Sequence, residues 1–181
     1  GYSFAVERCK DLTAQWQKKR NDWDVSPDWV AFSNGVVPAL NAAITAFTNE
    51  GDGVIIQPPV YYPFSESITN NFRRVCPNNL IFNGERWVIN FEELEQLAAK
   101  DENKLLILCN PHNPVSRCFE YDELKRIGEI CIKHNVIIVS DEIHSDLVFR
   151  GSRHIPIASI SPEISAITLT AVSPSKTFNT A

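Results

Sequence analysis

The chain has 181 residues, 44% of them hydrophobic and 22% charged, which is the composition of one ordinary globular domain with a real core. Seventeen Lys and Arg against 22 Asp and Glu give a formal charge of −5, with no basic block to track phosphates, which argues against a nucleic-acid partner. No apolar run approaches the ~20 residues that span a bilayer, so no membrane partner is expected.

The predicted elements follow in chain order. Residues 3–20 read as an amphipathic helix with Phe4, Cys9, Leu12 and Trp16 near helical spacing. A short strand is predicted at 29–32, ending at Ser33-Asn34-Gly35, and an alanine-rich helix from Val36 to Phe47. Gly51-Asp52-Gly53 turns into a strand at 54–56, and "QPPVYYPF" is a proline-broken loop. A helix at 65–71, a strand at 73–75 and extended structure at 80–89 around the turn Asn83-Gly84 come next, then a helix at 91–100. Residues 105–109 form an all-apolar strand opening into "NPHNPVSR". A helix at 121–134, a second apolar strand at 136–139 and a last strand at 167–172 complete the chain.

Near-continuous apolar strands alternating with helices imply an α/β fold: three layers, with a mostly parallel sheet covered by helices on both faces. In such sheets ligands sit at the carboxyl ends of the strands. The unusual polar residues cluster there: Ser33 to Gly35, Gln57 to Tyr62, Asn110 to Asn113, Asp141 to His144, and Ser173 to Lys176.

Each cluster has an ordinary reading and a chemical one. Ser33-Asn34-Gly35 before a helix is a tight turn and N-cap, or a set of free N–H groups suited to a phosphate. Tyr61 in its proline loop is a packed aromatic, or a platform for a flat ring. Asp141 after a buried strand caps a turn, or holds a proton on a ring nitrogen. Asn113 serves turn chemistry, or donates its amide to a phenolate oxygen. His144 is a satisfied polar group, or lies on the same side of the turn as Asp141. Ser173 and Ser175 add hydroxyls for an anion. Lys176 is a solvated helix-start lysine, or an amine for an aldehyde. Phosphate nest, stacking aromatic, amide, buried aspartate and lysine together match one cofactor, pyridoxal 5′-phosphate, and no metal.

The order "SNGVVPAL", "QPPVYYPF", "LCNPHNPVSR", "SDEIHSDLVF", "SPSKTFN" resembles the fold-type I pyridoxal-phosphate enzymes. More narrowly it is similar to the MalY/PatB-like cystathionine β-lyase (C–S lyase) branch of the class I/II aminotransferases. The resemblance implies roles for residues of this chain. Lys176 matches the lysine that takes the cofactor aldehyde and moves the substrate proton, and Asp141 the partner of the pyridine nitrogen. Asn113 matches the amide at the phenolate oxygen, with His144 near it, and Tyr61 the stacked aromatic. The backbone of Val36 and Val37, with Ser173 and Ser175, matches the phosphate cup. Lys176, Asp141 and Tyr61 are the catalytic candidates. Ser116 stands where the family has glycine, at a cost on the order of 1 kcal/mol if positive φ is needed there.

The resemblance also implies a homodimer acting on a small amino acid, and a chain, 1–181, that is most of the large domain without its N-terminal segment and C-terminal small domain. The total lack of methionine agrees with a piece of a longer polypeptide. Five cysteines without a C-x-x-C pair point to reduced thiols and a cytoplasmic protein. The expected reaction is β-elimination at a carbon–sulfur bond, with transamination as the alternative. Remoter alternatives are a serine acyl-enzyme built on the S-x-x-K of Ser173 and Lys176, a zinc site from Cys109-x-x-His112 and Cys131-x-x-His134, and an inactive fragment.

Overall fold

The computed structural model describes residues 7–180. Five parallel strands form the sheet, in the order β2 (Arg74–Pro77), β1 (Gly53–Ile56), β5 (Asn103–Cys109), β6 (Ile137–Asp141), β7 (Thr168–Ala171). A separate antiparallel hairpin pairs β3 (Ile81–Phe82) with β4 (Trp87–Val88). Its turn forms as predicted: Asn83 Oδ1 accepts from the Glu85 and Arg86 N–H groups at 3.1 and 2.9 Å.

Side-chain alternation along the central strands divides the core in two. Leu105, Ile107 and Cys109 face α2 (Val36–Phe47) and α3 (Pro63–Asn70), meeting Leu40, Ile44, Phe64 and Ile68. Leu106 and Leu108 face α4 (Phe91–Ala98), α5 (Tyr121–Lys133) and α6 (Pro162–Ala166), meeting Leu94, Leu124, Ile127 and Ile164. Residues 105–108 are at most 1% exposed, so each contributes roughly 1.5–3 kcal/mol of burial. On the α5 side the layer is tight: a Cβ on Gly128 would come within 2.3 Å of Ile164 Cδ1.

The helix ends follow local chemistry. Asn90 caps α4 by accepting from the Glu93 N–H at 3.2 Å, and Glu123 reaches back to the Glu120 N–H at 2.8 Å at the start of α5. Helix α1 (Glu7–Asn21) continues to the predicted end, while Phe4 and the rest of its predicted start lie outside the described residues.

One expectation needs correction. Residues 29–32 are not a strand: Ser26-Pro27-Asp28 opens a single 3-10 turn, Pro27–Trp29, and Trp29 and Phe32 are 69% and 55% exposed. Ser26 accepts from the Asp28 N–H, and turn chemistry prevails because no strand among the described residues pairs with this segment. β7 is the sheet edge, and its Leu169 is 43% exposed. Among the described residues no helix is long and apolar enough to cross a membrane.

Candidate active site

The strands run parallel, and β5, β6 and β7 end level with one another. Register places Cys109 opposite Asp141, and Asp141 opposite Ala171. Just beyond these ends lies a cleft of about 130 Å³. Val36 and Val37 from the first turn of α2 wall it, with Tyr61 from the proline loop and Asn113 from the loop after β5. Asp141 and His144 close the side beyond β6, and Lys176 comes from α7 (Pro174–Phe178). A larger cleft of about 700 Å³ adjoins it and shares Asn113 and His144. The smaller one gathers the chemistry, because the amine, the buried acid and the helix N-terminus all meet there.

Asp141 is 4% exposed, and Oδ1 accepts from the Ile143 N–H at 3.1 Å. The second oxygen takes no hydrogen bond from any described residue and is not among the fully buried unpaired atoms; Asp141 lines the cleft, where a partner can reach it. Burial pushes the acid up to about 6; the Ile143 bond and the nearby Lys176 charge pull the other way, and Glu142 adds to the rise. The turn-capping reading of Asp141 therefore holds on Oδ1, and the other oxygen has no partner among the described residues.

Burial, and then the charge of Lys176, hold the half-buried His144 below the usual imidazole range. Its ring favours the neutral form. Tyr61 is set by its neighbours, edge-on to the buried Phe64 with ring centroids 6.0 Å apart.

Helix α2 starts at Gly35, whose φ of 127° is closed to other residues at ordinary cost, and no side chain caps it. The first N–H groups of a helix have no acceptor within it. Val36 and Val37, in that first turn, line the cleft, so the start of α2 lies beside it, a place that suits an anion.

Ser173 and Ser175 are the two candidates that do not line this wall. Ser173 caps α7, its Oγ accepting from the Ser175 N–H at 3.2 Å, and the two hydroxyls bond each other at 2.9 Å. That engagement also leaves Ser173 bonded to Ser175 rather than to Lys176, unlike a serine nucleophile with its lysine base. The zinc spacings do not converge either. His134 binds Glu95 at 2.6 Å while Cys131 is fully buried, and His112 packs edge-on to Phe119.

Two residues that line the cleft were not among the cofactor candidates, Cys109 and Ile143. Cys109 ends an apolar strand and looks like packing, yet its sulfur accepts from the Asn113 N–H at 3.4 Å and so shapes the loop. Burial pushes that thiol up to about 12, so it serves as a neutral acceptor and not as a nucleophile. Its position opposite Asp141 was the available signal.

Comparisons with known proteins follow the same lines. A family profile described as aminotransferase class I and II matches residues 5–181. Cystathionine beta-lyase PatB of Bacillus subtilis is 44% identical over 181 residues, covering 100% of this chain and 47% of that protein. Aspartate aminotransferase of Geobacillus stearothermophilus is 33% identical over 159 residues, covering 81% of this chain and 37% of that protein. Among solved structures, cystalysin of Treponema denticola, described as containing a pyridoxal 5′-phosphate cofactor, superposes with a TM-score of 0.97. It is 42% identical and covers 99% of this chain and 46% of that one. The chain thus spans less than half the length of these relatives. A parallel sheet with helices on both faces, a cleft at its carboxyl edge and a profile match along nearly the whole sequence lead to one assignment: the chain belongs to the aminotransferase class I and II family.

Proposed function

We propose that this chain is the cofactor-binding large domain of a pyridoxal 5′-phosphate enzyme, and that the whole protein cleaves a carbon–sulfur bond of an amino acid by β-elimination. The observation that carries the reading is the half-satisfied carboxylate of Asp141, buried at the floor of a cleft that also holds a lysine. A protonated ring nitrogen would supply the missing hydrogen bond and neutralise the charge. The remaining walls fit the other parts of the same group. The Val36 and Val37 N–H groups suit its phosphate, the Tyr61 face its ring, and Asn113 and His144 its phenolate oxygen.

When bound, the cofactor supplies an electron sink for the charge left as the substrate's α-proton departs. The protein's own residues do the rest. Lys176 would hold the cofactor's aldehyde and, once free, its Nζ would take the substrate's α-proton. Asp141 would keep a proton on the ring nitrogen and so keep the sink deep. His144, favoured neutral, donates without competing for that proton. The sulfur leaves as a thiolate that takes up a proton, and water hydrolyses the remaining enamine to pyruvate and ammonia.

Similarity to a protein named cystathionine beta-lyase supports elimination. Similarity to an aspartate aminotransferase supports transamination as the second reading, since both reactions begin with the same proton abstraction. A product assay on the full-length protein separates them. Pyruvate and free thiol without a keto-acid acceptor are expected; a strict requirement for a keto acid would overturn the lyase assignment. We also propose a cytoplasmic homodimer. Five free cysteines and exposed apolar residues such as Phe149, at 85%, support it, and light scattering on the full-length protein checks its mass.

A further inference from the structure

Lys176 has a placement problem. Its helix, α7, has five residues and none is buried. A single helical turn is not stable by itself, so something outside must fix the direction of the lysine.

The contacts that do so converge on Asp146, five residues after Asp141. Thr177, next to Lys176, donates its hydroxyl to Asp146 Oδ2 at 3.0 Å. From α1, the Trp16 indole N–H reaches both oxygens, at 3.2 and 3.1 Å, and Arg20 Nε reaches Oδ1 at 3.2 Å. The Asp146 side chain is 12% exposed, so its bonds to Trp16 and Thr177 are partly shielded from water, while Arg20, at 48%, reaches it from the surface. An aromatic contact runs parallel to them: Phe178 meets Trp16 edge-on, with centroids 5.5 Å apart. The turn over residues 142–147 is itself anchored, with the Glu142 N–H on Ala171 O at 2.9 Å and the Leu147 N–H on His144 O at 2.9 Å. One short turn therefore carries Asp141, His144 and the carboxylate that holds the lysine helix.

We infer that Asp146 is a positioning residue, one that sets Lys176 relative to Asp141 by tying Thr177 of α7 and Trp16 and Arg20 of α1 to the turn after β6. For the reaction, this rests on the pyridoxal-phosphate reading above; as a statement about α7 it stands without it. A carboxylate accepting three donors is an inexpensive anchor, because all its partners are polarised toward it. A lysine displaced by about 1 Å reacts far more slowly, even though every group it needs is still present.

The informative pair is Thr177→Val and Thr177→Ser in the full-length protein. Valine keeps the shape and loses the donor; serine keeps the donor. Thr177→Val is expected to lower kcat about tenfold with KM within about threefold. It should also slow borohydride trapping of the cofactor on Lys176 by a similar factor, while total bound cofactor stays within about twofold. Thr177→Ser should restore both rates. Asp146→Asn should act in the same direction, and its effect should be less than additive with Thr177→Val, since the Thr177–Asp146 bond belongs to both residues. Hydrogen exchange of the cofactor-free protein reads the anchor directly. Exchange of the Thr180 N–H, which bonds Ser175 O at 3.1 Å, should quicken about tenfold in Thr177→Val and not in Thr177→Ser. Wild-type rates and exchange in Thr177→Val, or equal effects from valine and serine, overturn the inference. If the wild type traps no cofactor on Lys176, the functional reading fails, and the exchange result still decides whether Asp146 holds α7.

Discussion

At the scale of single residues, Asp141 and its neighbour Glu142 separate two uses of a buried acid. Glu142 is fully buried and fully engaged, accepting from the Ser140 hydroxyl at 2.9 Å and bonding His154 Nε2 at 2.8 Å. Asp141 is left half engaged, and this has a pH signature. Its folded value of about 6 lies above the ordinary 3.8, the reverse of a salt-bridged aspartate. The folded state thus binds the proton more tightly, and stability falls as pH rises from about 4 to about 6. His154 behaves differently in origin and alike in sign. Burial opposes its charge, but Glu142 and the adjacent Cys118 outweigh that and push it up to about 9. Its contribution is complete below about 6.5 and is lost as pH rises toward 9. Cofactor-free protein should therefore lose stability in two steps. Asp141→Asn should remove the first step, gaining up to roughly 3 kcal/mol at neutral pH and nothing near pH 4, while losing cofactor affinity. Urea denaturation across pH measures both steps; an unchanged low-pH step would refute the assignment. Most of this site was legible from sequence because Tyr61, Asn113, Asp141 and Lys176 each follow an apolar run that had to be a strand. The hydroxyls of Ser173 and Ser175 were not, because a helix start offered them a nearer partner than the cleft.

At the scale of elements, backbone conformation decides what the sequence conceals. Ser116, exposed in the loop after β5, takes φ of 56°, and its hydroxyl bonds Pro114 O at 3.2 Å. The left-handed region costs a side-chain-bearing residue roughly 1–2 kcal/mol, partly offset here by the lower entropy of the unfolded serine chain relative to glycine. Ser116→Gly is expected to raise stability by about 0.5–1 kcal/mol, seen as a higher denaturant midpoint at unchanged slope. The departure from the family pattern pointed to this strain, and the geometry bears it out. The predicted strand at 29–32 failed for the opposite reason. Trp29, Val30 and Phe32 have strand-like side chains, but strands are specified by neighbours, and Pro27 had already committed the segment to a turn. The partner of Thr177 was equally hidden, lying 31 residues away with no periodicity to connect them.

On the scale of the whole molecule, the central strands were the most readable feature, because residues buried on both faces leave no polar alternation to confuse them. What runs of apolar residues cannot tell is which face each side chain takes, and that choice is where β6 is least forgiving. Asp141 turns toward the α2 side and the cleft, and Glu142, the next residue, turns toward His154 and the Ile157 N–H on the other side. Their chemistry is nearly the same, so only position along the chain distinguishes them. Inserting one residue after Val139 would carry both acids one step out of register with the residues they serve. The expected result is loss of the cooperative melt, whereas the same insertion at the exposed Gly84 turn should change the midpoint little. It follows that drift in length among descendants of this sequence is confined to its loops. Residues 137–146 behave as a fixed ruler, open to substitution but closed to insertion and deletion.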